Sequence, residues 1–376
     1  MSQRFSIGIE EEFQMVDRAT GQLSAHINTL VEKGVSLFGE QIKPEMLQST
    51  VELISNVCSD IPAARREMLA LRTKLARLLA EDGLALISAG THPAAIWTDQ
   101  MTTPNPRYLE LQEEFQDVAR SVLIFGLHVH VGVENREIAV TLMNQLRTWL
   151  PHLLAISSNS PFWSGRLTGL KSYRAVVWKR FPRSGLPDAY ASWNDFNQYV
   201  QTLIDTGCID NGKKIWWDIR PHAFFHTIEF RVFDMPATFE DVIAIAALCQ
   251  ALVAKLCWLQ AHGLTTPIFP RSLLDENKWR SMRYGMDAII VDFAKNRTLS
   301  MRDSIHELLD FVVDVGDDLG THDEMSYIRR LLVDPRGTGA DRQIAIYQET
   351  GSIDAVIRYL MQQTMQGITL ENTVSG

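Results

Sequence analysis

The chain has 376 residues, 46% of them hydrophobic, which is enough apolar material for one large globular domain or two ordinary ones. Its formal net charge of −9 argues against general affinity for nucleic acid or for an anionic membrane surface. The four cysteines show no C-x-x-C spacing and the first 30 residues show no signal-peptide pattern, so we expect a cytoplasmic protein.

The first predicted element is a strand, FSIGIEEEFQMV (residues 5–16), with three consecutive carboxylates in its middle. Side chains alternate along a strand, so Glu10 and Glu12 share one face while Glu11 points to the apolar face. Two like charges on one buried face repel each other unless a cation or a shared proton compensates them. The pattern indicates a divalent metal site, although an exposed acidic edge strand would carry the same residues. Glu11 is expected to need a cationic or hydrogen-bonding partner on a covering helix.

The next predicted elements are the segment IKPEMLQSTVELISN, strand-like in its second half, and an amphipathic helix that starts at Asp60 and ends at Gly83. The segment contains Glu45 and Glu52, and their separation of seven residues would let both turn towards one place. A helix cap and a solvated side chain explain this pair equally well. LALISAGTHP then reads as a strand that runs into a loop.

Two later strands carry polar residues inside an apolar pattern, and a helix is predicted over residues 137–156 between them. In GLHVHVGV, His128 and His130 share one face; in HTIEFRVFD, Glu229 and Arg231 share one face. The segment KIWWDIRP, which carries Arg220, is predicted to form a hairpin with the second strand. Satisfied core histidines and a cross-strand ion pair are the structural alternatives.

Buried polar groups need partners, so these strands are most simply placed together in one sheet. A single sheet face would then carry the following residues: Glu10, Glu12, His128, Glu229 and Arg231. Such a face is typical of an active-site floor.

The remainder of the chain after Asp234 shows mostly helical patterns. DVIAIAALCQALVAKLCWLQ is interrupted by Gln250 and Lys255, so it is predicted as a buried core helix and not as a membrane span. The sequence shows no internal repeat and no low-complexity linker. We therefore predict strands and helices that interleave in one α+β domain.

The residue types of the acidic cluster indicate the kind of metal. Carboxylates with at most one imidazole suit a hard cation such as Mg²⁺ or Mn²⁺ better than zinc, which prefers thiolates and several imidazoles. The sequence has no G-x-x-x-x-G-K-[ST] phosphate loop and no G-x-G-x-x-G after a strand. A nucleotide would therefore bind on the sheet, through metal ions and arginines.

Five segments, in this order, closely resemble the type 2 glutamate–cysteine ligase family, also called carboxylate–amine ligases: IGIEEEFQMV, GLHVHVGV, NSPFWSGRLTGLKSYR, WWDIRP and IEFRVFD. KWRSMRYGMDA and RGTGADRQ are similar to that family's C-terminal motifs, so the resemblance extends from residue 5 to about residue 343. The resemblance implies a glutamine synthetase-like fold, in which a curved antiparallel sheet has helices on its outer face and the active site on its concave face. It implies one catalytic domain over residues 1–376.

The resemblance also implies metal-binding roles for six residues: Glu10, Glu12, Glu45, Glu52, His128 and Glu229. His130 lies one pleat beyond His128, and the two histidines share or exchange roles in this interpretation.

The activity that the resemblance implies is ATP-dependent amide formation. The γ-phosphoryl group passes to a substrate carboxylate, and an amine then displaces phosphate from the acyl phosphate. Two or three Mg²⁺ ions, or Mn²⁺ in their place, would screen the approach of two anionic reactants. Arginines suit the charge that develops on the phosphoryl group. Arg231 and Arg174 are the catalytic candidates, and Arg220 and Arg166 are candidates for nucleotide binding.

Glutamate and cysteine are the reference substrates of that family, and the sequence does not select the amine. A homodimer is expected by analogy. Two other functions use the same residues: a metal-dependent hydrolase that activates water, and a nucleotide-binding sensor on the ligase fold.

Overall fold

The computed structural model describes residues 5–369. The strands in this range are β1 (Ile7–Asp17), β2 (Ile42–Pro44), β3 (Thr50–Ile54), β4 (Leu84–Ile87), β5 (Gly126–Gly132), β6 (Phe162–Trp163), β7 (Arg166–Leu167), β8 (Ser184–Gly185), β9 (Trp216–Trp217), β10 (Ile219–Pro221), β11 (Thr227–Asp234), β12 (Ile289–Asp292) and β13 (Arg297–Ser300).

The α-helices of the same range are α1 (Ile27–Phe38), α2 (Ile61–Glu81), α3 (Pro106–Phe115), α4 (Asp117–Arg120), α5 (Arg136–Leu146), α6 (Leu150–Ser157), α7 (Arg174–Trp178), α8 (Trp193–Asp205), α9 (Phe239–Ala261), α10 (Arg271–Tyr284), α11 (Met301–Phe311), α12 (Val313–Leu319), α13 (His322–Val333), α14 (Gly339–Thr350) and α15 (Ile353–Thr364). Short 3₁₀ helices lie at Gly39–Gln41, Trp97–Asp99, Arg147–Trp149, Gly212–Lys214 and Gly285–Asp287.

Seven strands form one antiparallel sheet in the order β10-β11-β5-β1-β3-β2, with β4 also paired to β1. Strand β1 is central because it pairs with β3, β4 and β5. The predicted hairpin is present as β10 and β11, and Pro221 ends its first strand. The predicted α+β class with an antiparallel sheet is confirmed.

Helices cover one face of the sheet. Ile7, Ile9 and Phe13 of β1 are fully buried on this side. Helix α2 begins where predicted, because the Asp60 side chain caps it by accepting a hydrogen bond from the Ala63 N–H. Helix α9 is long and apolar enough to cross a membrane, but most of it is buried, and it contacts α2, α5, α13 and β5. It is the core helix that the sequence predicted.

The middle carboxylate of β1 has its expected partner on a covering helix. The guanidinium of Arg72, on α2, donates to Glu11 through Nε at 2.8 Å and through Nη2 at 2.5 Å. Both side chains are at most 1% exposed. The rings of Phe13 and Phe239 lie about the same guanidinium, with centroids at 5.0 and 4.9 Å. This pair ties the outer face of the central strand to its covering helix.

The helix predicted over residues 137–156 is wrong as one element. The structure divides it into α5, a 3₁₀ turn at Arg147–Trp149, and α6. Pro151 stands in the first turn of α6 and has no N–H, so the hydrogen-bond ladder of α5 cannot continue through it.

Candidate active site

The open face of the sheet carries the acidic residues of the first strand. Across the sheet, Glu10 lies opposite His128 of β5, and Glu12 lies opposite Glu52 of β3. The alternation of burial along β1 is regular through Phe13, so Glu10 and Glu12 point away from the covering helices. The structure thus brings the paired carboxylates and His128 together on one surface.

Glu10 is hydrogen-bonded to both histidines of β5. Its two carboxylate oxygens lie 2.9 Å from His128 Nδ1 and 3.2 Å from His130 Nε2. Burial alone would raise the pKa of Glu10, but the two imidazoles hold that pKa well below its usual range. Burial lowers the pKa of His128 to about 4, so its imidazole is neutral and keeps a lone pair for a ligand. His130 differs: Glu10 raises its pKa in spite of burial.

Glu12, Glu45 and Glu52 form a more crowded acidic group. Within residues 5–369, none of these carboxylates has a lysine or arginine nitrogen within 4.0 Å. Burial and the nearby charge of Glu45 raise the pKa of Glu12 to about 7. Burial and the charges of its neighbours raise the pKa of Glu52 well above its usual range. These three carboxylates are therefore crowded together without a lysine or arginine paired directly to any of them in the described residues, although Arg174 and Arg231 act on Glu12 from further away.

Glu229 lies between two arginines at the far side of the floor. Arg220 donates to it through Nε at 2.7 Å and Nη2 at 3.1 Å, and Arg231 donates through Nη1 at 2.5 Å. The two guanidinium charges outweigh burial and hold the pKa of Glu229 well below its usual range. Arg220 also donates to the carbonyls of Lys213 and Ile215, whereas the buried Nε of Arg231 has no hydrogen-bond partner. Of the two arginines that bind Glu229, Arg231 is therefore the one that keeps an unpaired donor.

Two groups of side chains offer metal ligands at mutual distances within 4.8 Å. One consists of Glu10, His128 and Glu229, and the other of Glu12, Glu52 and His128. Each group has two carboxylates and one imidazole, a donor set that fits Mg²⁺ or Mn²⁺. The raised pKa values of Glu12 and Glu52 fit the same conclusion, because a divalent cation would relieve their repulsion. Glu45 lines the same cavity but belongs to neither group.

Arg174 is buried beside this floor and does not line the cavity. It is 3% exposed, and its guanidinium lies against Gly126, where any Cβ would overlap it. The Gly126 N–H in turn donates to Glu12 at 2.5 Å. The Arg174 N–H donates to Ser160, whose hydroxyl donates to Asp234 at the end of β11. Arg174 is thus held where its charge acts on Glu12.

The structure does not bring Arg166 into the cavity. It lies on the short hairpin of β6 and β7, and both residues of β7 are exposed. Arg166 therefore faces solvent and does not line the acidic cavity.

The acidic floor is covered by residues that the sequence analysis did not single out. They line a cavity of about 300 Å³ together with the carboxylates, and they include Arg107, Tyr108, Trp178, Phe181 and Trp216. The Asn-Pro start of α3 was a signal for a helix near Arg107, but it does not tell which side of that helix meets the sheet.

His222, at the hairpin end of the cavity, has a fixed tautomer. Its Nδ1 accepts hydrogen bonds from the N–H groups of Phe224 at 3.2 Å and Phe225 at 2.9 Å. The proton of a neutral imidazole must then sit on Nε2. Burial lowers the pKa of His222 to about 4, so this ring is a hydrogen-bond donor and not a proton acceptor near neutral pH.

Comparison with known sequences connects this site to one family. The model of glutamate–cysteine ligase family 2 matches residues 6–359. A protein from Solibacter usitatus, provisionally named glutamate–cysteine ligase 2, is 50% identical over 364 residues, which are 96% of this chain and 94% of the relative. A protein of the same provisional name from Chloroflexus aurantiacus is 46% identical and covers 97% of this chain and 93% of its own.

Two solved structures share the fold. The glutamate–cysteine ligase of Francisella tularensis, in complex with AMP, matches with a TM-score of 0.70 at 14% identity and covers 98% of this chain and 91% of its own. A bifunctional glutathione synthetase from Pasteurella multocida matches with a TM-score of 0.72 at 14% identity, over 96% of this chain and 52% of its own. The expected ligase-type fold is confirmed.

Proposed function

Because this chain belongs to glutamate–cysteine ligase family 2, we propose that its acidic cavity joins glutamate to an amine, with cysteine as the first candidate amine. Family membership makes the chain an ATP-dependent carboxylate–amine ligase, which forms a carbon–nitrogen bond. The hydrolase and sensor alternatives find no support in the comparisons.

The observation that carries the proposal is the arrangement on the sheet face. Two groups of hard-metal ligands share the neutral imidazole of His128, and Arg231 lies beside one of them with an unused donor. Transfer of a phosphoryl group to a carboxylate needs cations on both anionic reactants and a donor for the charge in transit. The proposed magnesium ligands are Glu10, Glu12, Glu52, His128 and Glu229, with Glu45 beside them.

The proposed reaction has two steps. The substrate carboxylate attacks the γ-phosphorus of ATP, and the bond between the γ-phosphorus and the oxygen of the β-phosphate breaks. The products of this step are ADP and an acyl phosphate. The amine then attacks the acyl carbon, loses a proton, and expels phosphate. Divalent cations held by the carboxylates would screen the triphosphate from the attacking carboxylate. Arg231 stabilises the phosphoryl group during its transfer, Arg220 holds Glu229 in place, and the buried charge of Arg174 supports Glu12.

The test is release of ADP and phosphate by the purified protein with ATP, Mg²⁺ and L-glutamate, with and without a panel of amines that includes L-cysteine. We expect one amine to stimulate release, and Glu12→Gln to abolish the stimulation because it removes a carboxylate from the crowded group. Glu113→Gln, on the exposed side of α3, is the matched control and should behave as wild type. Absence of amine-stimulated release from every mixture would refute the glutamate assignment.

Gly126 gives a prediction about Arg174. In Gly126→Ala, the new methyl group meets the guanidinium of Arg174, which must move. Displacement of a charged group by about 1 Å can lower turnover by about a hundredfold, so we expect a loss of that order in the ADP assay. Gly34→Ala is the control, because a Cβ there meets its neighbours at ordinary distances of 3.4 Å or more within α1. Equal turnover in the two variants would contradict the supporting role of Arg174.

A homodimer, expected from the family resemblance, and a cytoplasmic location, expected from the cysteine spacing and the N-terminal sequence, remain predictions. Light scattering during size-exclusion chromatography tests the first, since a particle of about twice the 42.6 kDa chain mass is expected. Fractionation of the native cells tests the second.

A further inference from the structure

A buried ion pair lies behind the cavity and has no role in the reaction described so far. The ammonium of Lys278, on α10, donates to Asp218 Oδ2 at 2.6 Å. The two side chains are 4% and 3% exposed. Lysine is almost never buried so deeply without a partner, and the desolvation of both charges is costly. The contacts of Asp218 therefore indicate the role of this ion pair.

Asp218 holds the main chain of Arg231. The Asp218 carbonyl accepts a hydrogen bond from the Arg231 N–H at 2.8 Å, and the Asp218 N–H donates to the Gly185 carbonyl at 2.9 Å. Arg231 lies in a bulge, because the pairing of β11 with β5 shifts register between Phe230 and Phe233. Residues in a bulge lose their regular ladder partners. The Arg231 N–H is therefore held by the Asp218 carbonyl, and the Arg231 carbonyl accepts a longer bond of 3.4 Å from Arg174 Nη1.

The side chain of Arg231 depends on this bond to Asp218 for its direction. The side chain starts in the bulge, and its Nη1 donates to Glu229 Oε1 at 2.5 Å. Its guanidinium carbon lies 5.7 Å from the centroid of the Trp178 ring. A shift of the bulge would therefore move the guanidinium along the cavity wall. Asp218 also acts electrostatically on Arg174, so an unpaired Asp218 carboxylate would attract that second arginine.

We propose that Lys278 is a positioning residue for this reaction: by holding Asp218 it fixes the bulge that carries Arg231, and so sets where the guanidinium meets the phosphoryl group. The proposal rests on the proposed function for its catalytic part and on the contacts alone for its structural part. It gives a role to the motif KWRSMRYGMDA, which contributes no ligand to the acidic cavity.

The experiment compares Lys278→Met with Lys255→Met. Lys255, on α9, also donates to a single carboxylate, that of Asp314, at 2.6 Å. This pair lies outside the cavity and is more exposed, so it controls for the loss of a lysine and its ion pair, and the double variant below controls for burial. The first readout is hydrogen exchange of the peptide that contains β11. We expect faster exchange of the Arg231 amide in Lys278→Met and unchanged exchange in Lys255→Met. Unchanged exchange in both would overturn the proposal, whatever the turnover.

The second readout is the split between kcat and KM for ATP. Because Arg231 acts on the group in transit, Lys278→Met should lower kcat at least tenfold and leave KM for ATP within about twofold of wild type. A parallel loss in Lys255→Met would mean that lost stability explains both variants, and would overturn the proposal. Wild-type protein that turns over no acid and amine pair would refute the proposed function and leave the exchange result standing.

A double variant keeps the test valid if Lys278→Met does not fold. Lys278→Met with Asp218→Asn removes both charges, so no unpaired carboxylate remains buried and the fold should be recovered. The asparagine is no longer tied to α10, and we expect kcat to stay low. Recovery of kcat together with stability would show that the pair only supports the fold, and would overturn the proposal.

Discussion

Arg72→Met is expected to lower the free energy of unfolding by about 3–5 kcal/mol, because it leaves the carboxylate of Glu11 buried without its cation. Glu11 is fully buried, and Arg72 provides its two hydrogen bonds from a side chain. The change also removes the contacts of the guanidinium with the rings of Phe13 and Phe239. Urea denaturation followed by circular dichroism measures the loss.

Two further variants separate charge from packing. Arg72→Met combined with Glu11→Leu replaces the pair by apolar side chains, and most of the lost stability should return. Arg66→Met, on the exposed side of the same helix, should change the free energy of unfolding by no more than about 0.5 kcal/mol. If the double variant were as unstable as Arg72→Met alone, packing of the arginine stem would explain the effect better than its charge.

The second large effect concerns pH and metal. The pKa of Glu12 is raised to about 7, and the pKa values of Glu45 and Glu52 are raised as well. Between the unfolded value of about 4.5 and the folded value, the native state binds more protons than the unfolded state, so its stability falls as pH rises. Glu12 alone would contribute on the order of 3 kcal/mol of this loss by pH 8. A bound divalent cation would oppose this loss, because it compensates both causes of the raised pKa values, the burial of the carboxylates and their mutual repulsion.

We therefore expect the difference in melting temperature between protein with Mg²⁺ and protein with EDTA to widen from pH 5 to pH 8. Buried neutral histidines such as His92 and His152, whose pKa values are lowered to about 4, stabilise the fold more as pH rises to 6.5. Their effect is the same with and without metal, so it cancels in the difference. Glu52→Gln should flatten the pH dependence, and a difference that is constant with pH in wild-type protein would contradict a metal site here.

Strand alternation made the floor of the cavity predictable. A period of two placed Glu10 and Glu12 on one side of β1 and Glu11 on the other, and the polar interruptions of β5 and β11 followed the same rule. The partner of Glu11 followed from the cost of burying a charge alone. These inferences need only local geometry and burial, which a single sequence contains.

The residues that line the cavity opposite the acidic face were not predictable in the same way. Arg107 and Trp216 reach the acidic face from a helix and a short strand that are remote in sequence, and their contact depends on how the elements pack. The arginines illustrate the limit: Arg174 and Arg166 lie in one segment, yet Arg174 is buried beside the acidic floor and Arg166 faces solvent. Loop conformation decides that difference, and no periodic pattern marks it.

The strand order has a consequence for the rates of folding and unfolding. Glu10 meets His128 across 118 residues of chain, and Thr227 meets His130 across 97, so the acidic floor is assembled only from distant segments. Such non-local pairing is slow to form, and no complete set of ligands exists before β1 and β5 are in register with each other and with β3 or β11. A divalent cation should then bind after the rate-limiting step, leaving the refolding rate almost unchanged while it slows unfolding. The ion would therefore stabilise the sheet kinetically, after the chain has already formed it.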